Sequence, residues 1–313
     1  MRCLPLLLCL SLLALPGLSG CSGPAGCRVD VECGGGLVCA DGQCLPSRGQ
    51  SDASSELDSG PRADMAQPGA PDGFSADALT NGCPFNMDGI IQRAEIPAMP
   101  GLGGFFEATQ TGTTATVDVK KHSGTWDFSA VGASDEKVFD GLTSPTGAWW
   151  ATSFPDASYA QLLDASSGLL GVYKIEDTRL RLLGAVSATS GFGSTNVKYD
   201  PPIDVLRFPL SSTSTWTVST TLSGTASGIG FYATETWGFK VDDSGTVKTP
   251  AATFPSLRLR VDYEQVYGFS VSTRISYLFI TECYGTIARI RSNSGETSGD
   301  FTQASEYRRL AAP

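Results

Sequence analysis

The chain has a single histidine, His122, in 313 residues. That scarcity removes whole classes of chemistry. Zinc hydrolase signatures need two histidines on one helix face. A serine triad would have to use His122, and the sequence holds no Gly-x-Ser-x-Gly elbow to supply its nucleophile. His122 sits in Lys120-Lys121-His122-Ser123-Gly124, which reads as a surface turn. Charged residues are also scarce, at 17%, and acidic ones exceed basic ones to leave a net charge of −10. So acidic a surface is no electrostatic match for nucleic acid or for anionic headgroups. No stretch carries a long amphipathic helical period. Gly101-Leu-Gly-Gly104 lacks the Lys-Ser/Thr of a phosphate loop and reads as a turn. No EF-hand loop is present, and Asp242-Asp243-Ser244-Gly245 reads as a hairpin turn rather than a calcium loop.

One acid–base route remains open. Glu235, Glu264 and Glu282 fall on neighbouring strand candidates. Two carboxyl groups about 5–9 Å apart are the machinery of glycoside hydrolysis. Trp126, Trp149, Trp150, Trp216 and Trp237 supply the rings on which sugars stack, although tryptophan more commonly serves a core. A glycan-acting hydrolase is therefore the enzymatic alternative. The main reading has no catalytic residues, no metal and no cofactor.

What is present begins at the amino terminus. Arg2 supplies positive charge, Leu4 to Leu18 is an apolar run, and Ser19-Gly20 are small. These are the three parts of a secretory signal. Pro5 and Pro16 interrupt the run, which is shorter than the ~20 apolar residues of a membrane span. Leu18-Ser19-Gly20-Cys21 resembles a lipobox, in which the cysteine receives diacylglycerol and is then acylated on its new amino group. Residues 1–20 are thus expected to be a lipoprotein signal, with Cys21 the lipidated first residue. Cysteine parity agrees. Of 9 cysteines, Cys3 and Cys9 leave with the signal. Lipid on Cys21 then leaves an even set for disulfides. By resemblance to Gram-negative lipoproteins, Ser22 in place of Asp implies export to the outer membrane.

Residues 21–46 form a cysteine-rich module. Cys27, Cys33, Cys39 and Cys44 lie among glycines, and Asp41-Gly42 marks a turn between the last two. A segment this short cannot bury a core and needs covalent staples. Two disulfides are expected in an exported chain, and three connectivities remain open. Structural zinc favours closer cysteine pairs than these spacings provide. The pattern C-x-x-D-x-x-C-x-x-G-x-x-C-x-x-G-x-C, with Asp30, Gly36 and Gly42 at its other fixed positions, resembles modules of myxobacterial surface lipoproteins. It is also similar to half of a Dickkopf-like or EGF-like unit.

Residues 47–82 are rich in Ser, Asp, Gly, Pro and Ala. Asp52, Glu56, Asp58, Asp64, Asp72 and Asp77 outnumber Arg48 and Arg62. Such a chain cannot offset its ordering entropy and is expected to be a disordered acidic linker. Its root-mean-square span would be roughly 30–36 Å.

Residues 83–313 are expected to form one all-β domain. Leu257-Arg258-Leu259-Arg260-Val261-Asp262-Tyr263-Glu264 alternates between apolar and charged. Val271 to Phe279 and Phe231 to Val241 alternate likewise, the latter interrupted by Glu235. Period two implies half-buried antiparallel strands. Further candidates are 104–109, 113–120, 125–130, 147–154, 168–175, 179–186, 203–210, 214–223 and 286–291. Turns are expected at Ser166-Ser167-Gly168 and Ser292-Asn293-Ser294-Gly295. A large antiparallel barrel, half-barrel or sandwich follows. Cys83 and Cys283 are the two cysteines left over and are expected to pair.

Tyr199-Asp-Pro-Pro, Phe208-Pro-Leu210, Ser214-Thr-Trp216, Gly245 to Arg258 and Tyr284-Gly285-Thr-Ile-Ala together resemble a family of β-rich bacterial surface and periplasmic domains. Ala252 stands where that family has glycine. The resemblance implies a β-rich envelope domain and carries no catalytic residues. The combined expectation is a non-enzymatic lipoprotein anchored through Cys21 in the cell envelope. Its partner would be a surface protein, a glycan or a small apolar ligand held in a barrel, and not nucleic acid.

Overall fold

A computed structural model describes residues 37–40, 43–46, 83–110, 112–163 and 168–313. The signal, Cys21, Cys27, Cys33 and the linker lie outside the described residues. The chain divides into two units, Met1–Met65 and Ala66–Pro313. In the first, β1 (Leu37–Ala40) and β2 (Gln43–Pro46) pair antiparallel, with Cys39 opposite Cys44. Asp41-Gly42 falls between them, where a turn is expected.

The second unit is all-β. Its strands are β3 (Gly103–Thr109), β4 (Ala115–Thr116), β5 (Thr125–Asp127), β6 (Asp135–Gly141), β7 (Tyr159–Leu162), β8 (Leu169–Glu176), β9 (Arg179–Ser187), β10 (Asn196–Arg207), β11 (Thr215–Ala226), β12 (Ile229–Lys248), β13 (Thr253–Tyr267), β14 (Ser270–Thr281), β15 (Gly285–Ser292) and β16 (Gln303–Ala311). Twelve of them follow the order β6-β3-β16-β15-β14-β13-β12-β11-β10-β9-β8-β7, and each neighbouring pair is antiparallel. Thr143, just past β6, bridges Ala160 of β7 through two backbone hydrogen bonds of 2.7 and 2.9 Å. That bridge brings the first and last strands together. The domain is a nearly closed antiparallel barrel, which decides among the three expected architectures.

The barrel has a base and a rim. Around the base lie the β8–β9, β10–β11, β12–β13 and β14–β15 connections, and around the rim lie β9–β10, β11–β12, β13–β14 and β15–β16. Residues 83–102 run across the base. Ile91 bridges Leu210, and Ile91 and Ile96 join a core of inward residues that includes Leu182, Ile203, Trp216, Phe239, Leu259 and Ile280. Cys83 is bonded to Cys283 in the β14–β15 turn, as expected, across a separation of 200 residues.

Two segments cover the outer wall. Residues 112–130 lay Val117, Val119, Trp126 and Phe128 over the outward side chains Phe279, Ile287 and Ile290. Strand β14 is therefore buried on both faces, which is why its sequence Ile275 to Ile280 is almost continuously apolar. Residues 144–157 lay Trp150 and Phe154 over Val172 and Val186. The expected strand at 147–154 is replaced by turns and a short 3-10 helix, Ala151–Ser153, because this segment lies over the sheet instead of joining it. Asp242-Asp243-Ser244-Gly245 is likewise no hairpin turn. It lies inside β12 at a bulge, where Asp242 pairs with Arg258 and Asp243 with Lys121. These ion pairs keep a turn-like sequence within a strand.

Proline interrupts the ladder without ending the strand. Pro201-Pro202 lies within β10, and pairing to β11 stops at Asp200. Proline has no N–H to donate, so a bulge is the physical consequence. Thr220 bridges the gap by donating its hydroxyl to the Pro201 carbonyl at 2.6 Å.

Candidate functional site

The strand register places a belt of polar side chains inside the barrel. Arg289 and Arg291 of β15 face Arg308 and Glu306 of β16, and Asp140 of β6 and Gln161 of β7 complete the belt. Arg308 donates to the Asp140 carboxylate at 2.8 Å, and Gln161 donates to the same oxygen at 3.0 Å. Glu306 lies 3.5 Å from Arg289 and 3.3 Å from Arg291. Burial pushes the Asp140 carboxyl up, against the pull of Arg308. Tyr159 and Tyr173 stack beside the belt with ring centres 5.3 Å apart.

Glu235 is inward on β12, opposite Gln265 of β13. Its carboxylate accepts hydrogen bonds from Trp237 Nε1 at 2.9 Å, Tyr263 Oη at 3.0 Å and Gln265 Nε2 at 2.8 Å. Burial raises its pKa, and these three donors oppose the rise. The interruption of the apolar alternation at Glu235 thus marks a braced carboxylate inside the barrel.

The structure does not bring the three candidate glutamates together. Glu264 follows Tyr263 on β13 and so projects from the outer face, opposite Thr236. There it lines an open groove of about 380 Å³ with Thr217, Thr236, Arg274, Ile275, Glu296 and Thr297. Glu282 lies past the end of β14, at the base, where it accepts the Asn86 and Met87 N–H groups at 2.8 and 2.9 Å. Glu282 acts electrostatically on a buried carboxylate that sequence reasoning missed, Glu95. It accepts from the Gln92 N–H at 2.7 Å and from Asn86 Nδ2 at 3.2 Å. Burial chiefly, with a further push from Glu282 and Asp88, raises the Glu95 pKa. Both carboxylates are almost fully buried; Glu282 fastens the 83–102 segment to the base, while the bonds to Glu95 brace that segment internally.

The tryptophans are structural. Trp126 and Trp150 are buried beneath the two outer coverings, and Trp216 stacks on Phe239 within the barrel. Trp149 and Trp237 are half-buried and donate to Ser187 and Glu235. His122 lies in an exposed hairpin and contacts Asp118 at 2.7 Å. Its bond and that from the Lys120 N–H lower the Asp118 pKa. Among the described residues no group of three or more His, Cys, Asp and Glu side chains is arranged to hold a metal ion.

The outward rows of β11 to β13 present Thr217, Ser219, Thr221, Thr234, Thr236, Asp262 and Glu264. This is not the apolar band of a lipid-embedded barrel. Of the large exposed apolar residues, Phe192, Ile229, Tyr232, Tyr267, Phe269 and Val271 gather at the rim, while Met87, Ile90, Met99, Val131 and Phe139 lie at the base and on the outer wall. Sequence reasoning passed over them. Their signal is a large apolar residue flanked by glycine inside a turn, as in Gly191-Phe192-Gly193, Gly228-Ile229-Gly230 and Gly268-Phe269. Compared with known protein families, curated proteins and solved structures, the chain matches none.

Proposed function

We propose that this chain is a lipid-anchored extracytoplasmic protein that displays its β-barrel as a non-enzymatic binding or structural domain. The observation that carries this reading is the Cys83–Cys283 bond. It closes the base of the barrel where the polypeptide comes in, and such bonds persist in oxidising compartments. A lipid on Cys21, a cysteine-rich module over residues 21–46 and an acidic linker over 47–82 then serve as anchor and spacer. Within the described residues, the disulfide fastens Cys83 to the base of the barrel. Ser22 favours the outer membrane.

The test is metabolic labelling with a palmitate analogue in a Gram-negative host. The parent chain takes up the label and fractionates with membranes, and Cys21→Ala does neither. Equal labelling and fractionation of Cys21→Ala would overturn the anchor.

A further inference from the structure

We infer that the rim of the barrel is a membrane-docking surface that inserts its hairpin tips into the interface of a lipid bilayer. The surface consists of three neighbouring connections. The β9–β10 loop touches the β11–β12 turn directly: the Gly228 N–H donates to the Ser194 carbonyl at 3.2 Å, and the Ser227 N–H donates to Thr195 Oγ1 at 3.1 Å. The β13–β14 turn joins them through Tyr267, which stacks on Phe231 of β12 with ring centres 5.2 Å apart and planes within 6°. The three tips therefore form one platform.

Each tip carries one large apolar side chain at its apex. Phe192 and Phe269 are 112% and 109% exposed, more than in an extended reference chain, and Ile229 is 73% exposed. Leaving such side chains in water is unfavourable, and a cluster of them marks a surface that meets something apolar.

Three observations select a bilayer over a protein or a glycan. The first is charge. Residues 182–197, 225–234 and 265–273 contain no charged side chain, although the chain as a whole carries −10. An uncharged cap on an acidic molecule suits an apolar slab. The second is depth order. Tyr232 and Tyr267, 64% and 52% exposed, lie behind the apices, while Phe192, Phe269 and Ile229 lead. Purely apolar groups ahead and phenols behind is the order of hydrocarbon and headgroup at a membrane interface. The third is shape. The apices project singly from separate turns. A protein interface needs close-packed complementarity, whereas a fluid bilayer accepts isolated projecting side chains. The rim lies at the end of the barrel opposite Cys83.

This inference goes beyond the display reading and does not depend on the lipid. It is tested on residues 21–313 bearing Cys21→Ala, exported behind a cleavable non-lipoprotein signal, so the anchor cannot contribute. The probe is phosphatidylcholine vesicles. The protein should sediment with them equally at low and high salt, since no charge is involved. Phe192→Ser and Phe269→Ser should each weaken partitioning about tenfold, and the double variant about a hundredfold. A Phe192→Trp variant should gain emission that is quenched by lipids brominated on their acyl chains. Because these side chains support no core, melting temperatures should match the parent, which excludes misfolding as the cause. Failure of the parent to sediment would overturn the inference. So would equal sedimentation of the double variant, or a protein that ignores vesicles and instead dimerises through Phe192 and Phe269. Each of these outcomes leaves the palmitate result at Cys21 unaffected.

Discussion

Arg309 is among the largest fully buried side chains of the domain, and its charge is met by one carboxylate. It lies on the outer face of β16 under the 112–130 covering. Its Nη2 contacts Asp135 at 2.7 Å and donates to the Ala130 carbonyl at 2.8 Å, and its plane lies 4.0 Å from the Tyr307 ring centre. Replacing Asp135 by alanine leaves that guanidinium buried with the Ala130 and Tyr307 carbonyls and a ring. Removing one partner of a buried ion pair costs about 3–5 kcal/mol. For a domain of this size that is a fall of roughly 6–20 °C in melting temperature. The double variant Asp135→Ala/Arg309→Met removes the stranded charge and should recover most of the loss, because an apolar replacement of such a pair is often close to neutral. Acid supplies the second arm. Burial pushes the Asp135 carboxyl up, but the bonds from Arg309 and the Gly132 N–H outweigh it, so its pKa lies below the ordinary 3.8. A carboxyl depressed by folding contributes stability that is complete above its unfolded value and is lost as pH falls through its folded value. The difference between parent and Asp135→Ala should therefore be constant near neutral pH and shrink below about pH 4. Urea titrations with the disulfide intact, repeated across that range, measure it. A loss under about 1 kcal/mol at neutral pH, or a difference unchanged by acid, would refute the account, since an exposed pair is worth no more than that.

Three further outcomes are expected. Cys83→Ser/Cys283→Ser opens a loop of 200 residues, for which loop-closure entropy sets an upper limit of about 5 kcal/mol. Non-reducing peptide mapping should find the two cysteines in one linked peptide, and reductant should lower the parent's melting temperature but not the variant's. Glu235→Gln turns an amide N–H₂ toward one of three donors and should cost about 1–3 kcal/mol. Because burial raises the Glu235 pKa, its contribution is complete below the ordinary 4.5 and is lost as pH rises through the folded value, so the variant's stability should fall less steeply above pH 4.5. Gly184→Ala would set a Cβ 2.2 Å from the Val197 carbonyl oxygen and 2.5 Å from the Phe154 ring. Backbone cannot yield as a flexible side chain does, so a loss of about 1–3 kcal/mol is expected, read as a lower urea midpoint.

The legible part of this fold is the part where one face of a strand is wet. Leu257, Leu259 and Val261 alternate with Arg258, Arg260 and Asp262 because β13 separates core from solvent, and period two registers that contrast directly. Strands β3, β8, β9 and β11 were legible for similar reasons. Strand β6, Asp-Glu-Lys-Val-Phe-Asp-Gly, was not, because its inward face ends in Asp140 of the polar belt and its apolar Phe139 points out. Strand β16 escaped similarly: Glu306 and Arg308 are inward and Arg309 is buried outside, so charges stand where apolar residues are expected. Both failures have one cause. A barrel wide enough to hold ion pairs, with a wall thick enough to bury an arginine, inverts the usual sign of the pattern. The covering segment at 147–154 failed for the opposite reason. Its tryptophans suggest a strand, but they are buried by lying across the sheet.

The same inversion explains why the candidate carboxylates were misplaced and the rim overlooked. Burial in this domain departs from side-chain polarity at particular positions. Glu95, Glu235 and Arg309 are buried while Phe192 and Phe269 are fully exposed. The buried charges sit where closure holds them: Asp140 and Arg308 near the β6–β7 seam, Glu95 and Glu282 beside the disulfide, and Asp135 with Arg309 beneath the covering at 112–130. The Asp140–Arg308 and Asp135–Arg309 pairs, and the bonds from Asn86 and Met87 to Glu282, tie together elements far apart in sequence, so the barrel is locked at its seam, outer wall and base. The rim has no such lock. Its β9–β10, β11–β12 and β13–β14 connections are glycine-flanked and uncharged, and Phe192, Ile229 and Phe269 at their tips are largely exposed. A side chain that contributes nothing to the fold and is costly to leave in water is retained for what it meets. Substitutions at the rim should therefore alter docking while leaving stability unchanged, and substitutions at the locks should do the reverse.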